Sequence, residues 1–391
     1  MGRKPLYKKA FRIVRDIVTL RKLRKAILAY TRDLPLMREA LKDKNCAIAM
    51  ITIPWNSDLY QRPQHLSCQF AKKGIPVFYA NSSKKMPTKI QENIYSIFPN
   101  TLLLLPSSLA QKVYFIVTST LPLRIETAMK MKEKGCKIIY EYIDDFDEKI
   151  LRDNKIQVDL FNNLEKIDPF LITTSAKKLY EQMLERFGKE KVLFCPNGVD
   201  ISNFTDIHKH PIPPEMQQIK AKGKPIVGYY GAMAPWLDWE LINTMHEKCP
   251  EYEFVYIGMD YQRALNNLHP RENVHFLGPR KYTELPAYAK HFDCCIIPFT
   301  EGEIAKSTSP LKLYEFMAMQ KPVVCTKDLQ ECYGYEGVLI SENHEKFMKN
   351  IKKAIELGKN KQCQNKLFEQ ACSHTWQKSF EKLIKKTTKC S

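Results

Sequence analysis

From Cys46 onward the chain twice runs through the same alternation, short apolar runs rich in β-branched residues separated by stretches of helical period. The first series predicts strands over residues 47–53, 76–80, 113–118, 137–143, 170–174 and 192–195, with helical patterns such as 64–73 and 176–187 between them. The second predicts strands over 226–230, 254–257, 274–277, 294–298, 322–325 and 338–340, with helices over 237–247, 285–290, 311–319 and 346–357. Between the series, residues 201–224 are polar and broken by Pro211, Pro213, Pro214 and Gly223. Strand–helix–strand repetition is the pattern of parallel sheets covered by helices on both faces. The expectation is therefore an α/β chain of two doubly wound, Rossmann-like domains. Ligands of such sheets bind beyond the carboxyl ends of the strands, so the cleft between two facing domains is the expected site.

Charge separates off the N-terminus. Of the formal net charge of +18, fourteen Lys or Arg against four acids fall in residues 1–45. Apolar residues there recur at a period near 3.6, from Leu6/Tyr7 through Ala10/Phe11, Ile13/Val14 and Ile17/Val18 to Leu23 and Tyr30. A basic amphipathic helix fits an anionic membrane surface, a protein surface or nucleic acid. No helix-turn-helix, RNP, KH or zinc-finger pattern accompanies the charge, so nucleic acid is the least favoured partner and an anionic membrane the most. No apolar run reaches the length of a membrane span, and charges interrupt any secretory-type stretch. The twelve cysteines lack CxxC or ligand spacing and read as reduced core residues of a cytoplasmic protein.

Familiar catalytic signatures are missing. No GxGxxG follows the first strand, and neither GxxxxGK[ST] nor GxSxG occurs, which argues against dehydrogenases, P-loop enzymes and α/β-hydrolases. The chemistry-bearing residues fall instead in loops at strand ends. After the first strand come Asn56, Gln61, Arg62 and His65, polar groups near a helix start; ordinary capping would explain them equally well. Asp144 and Asp145 end another strand, where they can orient or deprotonate a hydroxyl, or simply cap a helix. Asn197-Gly198 reads as a turn requiring positive φ and a hinge. In the second series Gly231 permits close backbone approach, and Arg280 lies at the same edge. Thr308 or Ser309 can cap a helix opening at Pro310, whose free amides, with Lys312, would face a diphosphate. Glu315, on the same helix, can grip a diol with two oxygens. A well-capped helix with an ordinary ion pair would explain each of these singly. His208 and His210 lack partner acids at ligand spacing and read as a solvated loop; no metal site is expected.

These segments together resemble glycosyltransferases of the B fold, in the large nucleotide-sugar-dependent branch used in bacterial surface polysaccharide assembly. The resemblance rests on YQRPQHL, IYEYIDDF, ITTSAKKLYE, FCPNGVDISNF, GYYGAMAPWLDWELI, NVHFLGPRKYTELPAYAKHFDCCIIPF and SPLKLYEFMAMQKPVV, in that order, and spans about residues 46–385. Teichuronic-acid-type transferases are the nearest likeness. The resemblance implies an arm (1–45), an acceptor-side domain (46–205), a linker (206–224), a nucleotide-sugar donor domain (225–372) and a C-terminal crossing helix with a basic tail (373–391), in which Trp376 is the crossing aromatic. It implies that Glu315 holds the donor ribose, that Lys312, Ser309 and Thr308 meet the donor phosphates, that Gly231 approaches the diphosphate and that Arg280 lies near the base. Arg62, Gln61 and Asn56 fall on the acceptor side, with Asp144, Asp145 or His65 orienting the acceptor. The expected reaction moves a sugar from a nucleotide-diphosphate donor to a cell-surface glycan or lipid-linked acceptor, without cofactor or metal, at the inner face of the cell membrane. Two departures stand out. Ser307 occupies a position where many relatives carry Glu, and Ala232-Met233-Ala234-Pro235-Trp236 lacks their cation pair. A non-catalytic binding scaffold of the same fold, or a nucleotide-sugar epimerase, is the alternative.

Overall fold

The computed structural model describes residues 27–57, 59–80, 88–146, 154–205 and 210–388. The first sheet contains β1 (Ala47–Ile51), β2 (Val77–Ala80), β3 (Lys89–Gln91), β4 (Ile94–Ile97), β5 (Val113–Thr118), β6 (Lys137–Tyr142), β7 (Leu171–Thr174) and β8 (Val192–Phe194), in the order β3-β4-β2-β1-β5-β6-β7-β8. All its pairings are parallel except β3 with β4. The second contains β9 (Ile226–Tyr230), β10 (Glu253–Ile257), β11 (Val274–Phe276), β12 (Cys294–Ile297), β13 (Val323–Thr326) and β14 (Val338–Ser341), all parallel, in the order β11-β10-β9-β12-β13-β14. Both are doubly wound α/β sheets, as the alternation predicts.

Burial explains why the central strands read as unbroken apolar runs. All six residues of β5 (VYFIVT) are buried, because helices cover both faces of a parallel sheet. The short hairpin β3–β4 escapes the sequence pattern. Lys89 and Gln91 are exposed on an antiparallel edge strand, so that strand carries no apolar alternation.

The two domains are joined by two chain crossings that lie side by side. Val199 N–H donates to His374 O at 2.9 Å, and Trp376 N–H donates to Val199 O at 3.2 Å. Gly198 serves this contact. It does not have the positive φ expected of Asn-Gly. A Cβ there would stand 2.6 Å from Thr375 C and 2.7 Å from Trp376 N, so the close approach, not a turn conformation, requires glycine.

Beyond the second crossing, the helix Trp376–Thr388 packs back on the first domain. Trp376, Phe380 and Leu383 are buried in a core layer with Ile48, Leu66, Phe70 and Ile116. The stretch 206–224 is not loop throughout. Pro214–Lys220 is a helix whose Met216 and Ile219 enter the second domain's core, and residues 206–209, including His208, lie outside the described residues. Most of the basic arm, residues 1–26, also lies outside them. Its end is described: Ala29–Asp33 leads into the helix Leu34–Ala40, whose Leu34 and Met37 are buried in the first domain. Among the described residues no helix is long and apolar enough to cross a membrane.

Candidate active site

The carboxyl ends of both sheets face one cavity of about 380 Å³. The first domain supplies Thr52 after β1, Thr118 and Thr120 at the end of β5, and Asp144 after β6. The second supplies Tyr230 and Gly231 from β9, Gly258 after β10, and the segment from Thr308 to Lys312 with Glu315.

The second-domain wall is built on a close backbone approach. Gly231 has φ 138°, and a Cβ there would meet Lys312 Cε at 2.9 Å. Gly258, at φ 154°, would place a Cβ 1.7 Å from Gly231 O. Neither position admits a side chain, so the cavity floor is bare backbone beside a lysine. Lys312 stands over the rings of Tyr229 and Phe299, each 5.2 Å from the centroid. Burial depresses its ammonium to about 8, against the pull of Glu315. Glu315, 4% exposed, is pushed up to about 7 by burial, with Tyr230 and Lys312 pulling the other way. Both groups therefore titrate close to neutral pH.

The helix after this loop begins at Leu311, with Pro310 as its N-cap and no side-chain cap. Thr308 Oγ1 donates to Ile304 O at 2.6 Å, so it caps nothing ahead of it. Ser309 Oγ is buried with no protein partner. Arg280 reaches the cavity, but Glu215 and Tyr288 hold its guanidinium, each at 2.7 Å. The partner carboxylate comes from the helix inside the presumed linker. Lys312 is then the cavity cation without an ion-pair partner within 4 Å among the described residues. Ser307, where many relatives carry Glu, is fully buried, and its hydroxyl bonds Glu303 O and Ile304 O.

On the first-domain wall the two aspartates part company. Asp144 lines the cavity, and burial, with the Asp145 charge adding to it, lifts its carboxyl to about 7. Asp145 is not among the lining residues. Its carboxylate accepts from Tyr142 Oη at 2.9 Å and Phe146 N–H at 2.8 Å, and Lys178 lies 3.9 Å away. Arg62 is buried at the cleft floor, its Nε on Glu141 at 3.0 Å and its Nη1 on Cys195 O and Asn197 Oδ1. Gln61 lines the cavity as the N-cap of the helix Arg62–Lys72. Asn56 is exposed and outside the lining.

His65 is not placed for catalysis. It is 3% exposed, stacked on Trp376 at 4.6 Å, with Tyr60 and Tyr282 edge-on at 4.6 and 5.1 Å. Burial alone drives its pKa down to about 3, so it is a neutral aromatic filler between the first domain and the crossing helix.

Three site contacts were not read from the sequence. Gly258 ends an ordinary-looking strand. Asn197 links the walls, accepting from Arg62 and donating to Ser309 O at 2.7 Å. Tyr60 and Tyr282, from opposite domains, stack at 4.8 Å. Among the described residues no group of three His, Cys, Asp or Glu is placed to hold a metal.

Two doubly wound domains facing across a cleft, with a C-terminal helix crossing back, define the B fold of glycosyltransferases. Residues 224–356 match the family model described as glycosyl transferases group 1. Over 206 residues the chain is 26% identical to TuaH of Bacillus subtilis (strain 168), a protein named provisionally as a teichuronic acid biosynthesis glycosyltransferase; the match covers 50% of this chain and 49% of that one. The aligned region thus spans about half the length of the curated relative. Among solved structures, Anabaena Alr3699/HepE in complex with UDP superposes with TM-score 0.65 at 14% identity, covering 88% of this chain and 100% of that one. Sucrose-phosphate synthase from Thermosynechococcus elongatus gives TM-score 0.61 at 14% identity, covering 88% and 100%. At such identities the superpositions establish the fold alone.

Proposed function

We propose that the chain is a glycosyltransferase that moves a sugar from a nucleoside-diphosphate donor to a hydroxyl of a cell-surface glycan or lipid-linked acceptor. The observation that carries this reading is the wall formed by Gly231, Gly258, Lys312 and Glu315 in a cavity shared with the opposite domain. Bare backbone lets a diphosphate come close, Lys312 answers its charge, and Glu315 offers two acceptor oxygens to a ribose diol. The group 1 match over the same domain and the UDP held by the structurally similar HepE support a nucleotide-sugar donor.

In the reaction, the acceptor oxygen bonds to the anomeric carbon, and the bond from that carbon to the diphosphate oxygen breaks. The diphosphate departs as an anion beside Lys312 and the free amides opening the helix Leu311–Ala318. Asp144 is the first-domain carboxyl positioned to take the acceptor proton, and a pKa near neutrality suits a general base. These residues provide the charge stabilisation without a metal ion. The basic arm would hold the enzyme at an anionic membrane on its cytoplasmic side.

Thermal stabilisation by UDP, GDP, ADP and CMP tests the donor site, since a ligand that binds only the folded state raises Tm. One diphosphate is expected to stabilise the wild type and not Glu315→Ala. No stabilisation by any nucleotide at millimolar concentration would favour the binding scaffold over the transferase.

A further inference from the structure

A second hollow lies on the first domain, an apolar slot of about 350 Å³ lined mainly by Pro99, Leu102, Leu103, Phe115, Leu123 and Met131. Two chain segments make it the neighbour of the cleft. Ile51 lines the slot while Thr52 and Ile53 line the cleft; Thr118, Thr120 and Leu121 line the cleft while Pro122, Leu123 and Arg124 line the slot. One wall of loops therefore borders both hollows. Arg124 is exposed and has no ion-pair partner within 4 Å among the described residues.

The same place receives the basic arm. Asp33, at the arm's end, is fully buried and accepts from Phe98 N–H at 2.8 Å and Thr101 Oγ1 at 2.6 Å. Arg32 sits over the Phe98 ring at 4.4 Å. These contacts clamp the arm to the start of the helix Pro99–Leu103. That helix leads to Leu103 and Leu104, 37% and 41% exposed, two of the five large exposed apolar side chains described. Exposed leucines beside an apolar slot mark a binding surface. Arg124, exposed and lining the slot, gives that surface a positive charge for an anionic group.

We infer that the slot is an acceptor subsite, taking the apolar chain of a lipid-linked acceptor whose phosphate meets Arg124 and whose sugar lies in the cleft toward Asp144. This rests on the transferase reading and narrows its acceptor to amphiphiles. A free glycan would leave the slot and its leucines unused. An acceptor that joins an apolar chain, an anion and a sugar has the slot, the Arg124 that lines it and the neighbouring cleft to meet.

The probe is dodecyl phosphate below its micelle-forming concentration, with dodecyl glucoside as neutral control, titrated into the full-length protein by calorimetry. Thr127 lines the slot at partial exposure, so Thr127→Trp fills it from the surface; Leu103→Ser is the second, smaller change. The wild type is expected to bind dodecyl phosphate, and Thr127→Trp to bind it at least tenfold more weakly. Arg124→Glu is expected to erase the preference for phosphate over glucoside. UDP-induced stabilisation, read on the same samples, should survive in every variant. Its presence together with undiminished dodecyl phosphate binding in Thr127→Trp and Leu103→Ser overturns the slot while leaving the donor site standing. Absence of dodecyl phosphate binding to the wild type overturns it as well. Loss of flotation with phosphatidylglycerol vesicles in Thr127→Trp, with dodecyl phosphate binding intact, assigns the slot to the bilayer and overturns the acceptor subsite.

Discussion

Single residues decide what this cleft can bind and at what pH. In the proposed donor site Glu315 accepts from two ribose hydroxyls best as a carboxylate and is held near 7; Lys312 attracts diphosphate as an ammonium and is held near 8. UDP affinity should therefore rise as pH climbs through about 7 and fall as it climbs through about 8. Calorimetry across that range checks both limbs, and Lys312→Arg, charged throughout, should abolish the alkaline fall only. His65 gives the opposite expectation. His65→Phe keeps the aromatic stack and removes a buried ring nitrogen that has no partner, so turnover should change less than about threefold and Tm should hold or rise. A turnover loss of a hundredfold would restore a catalytic role to that ring. The sequence made Gly231, Asp144 and Ser309 legible because they sit in loops at strand ends or a helix start, where such folds gather chemistry, and Lys312 and Glu315 because they fall on the helix that follows. It could not separate Asp144 from Asp145, since one peptide step decides which carboxylate faces the cleft. Nor could it read His65, whose fate depends on an aromatic ring more than 300 positions away.

At the scale of elements, periodicity located the buried central strands and helices such as Lys177–Phe187 and His344–Lys359, and it missed the helix Lys361–Ser373 as well as elements that are short or slightly buried. The edge strand β3 and the helix Pro214–Lys220 are examples, the latter hidden among prolines that opened a helix instead of breaking the chain. Proline at a first helical turn costs no hydrogen bond, so a proline cluster marks a helix start as well as a linker. Gly258 shows how closely the elements are fitted at the cleft. Gly258→Ala would force β10 and β9 apart at their carboxyl ends, because its Cβ would overlap Gly231 O. Displacement of about 1 Å there should lower turnover by about a hundredfold. Steady-state kinetics beside a melting curve will separate that loss from global destabilisation.

Over the whole molecule, the first domain is completed by the helix Trp376–Thr388. Trp376 and Phe380, each 1% exposed, stand in its core, and each is worth about 3–5 kcal/mol on truncation to alanine. Their joint loss approaches the entire margin of a typical domain, about 5–15 kcal/mol. A chain ending before Trp376 should lose the first domain's melting transition while the second domain still melts cooperatively, as followed by circular dichroism. The pairing of the two crossings also sets an order of events during synthesis. Domains emerging from a ribosome ordinarily fold in the order they are made. Here the first sheet is translated early but lacks one covering helix until Trp376–Thr388 is made, whereas the second sheet has its described strands by Ser341. The domain made later can therefore mature first, and the cleft is complete only once the helix Trp376–Thr388 has left the exit tunnel. A nascent chain stalled before Trp376 lacks the assembled cleft.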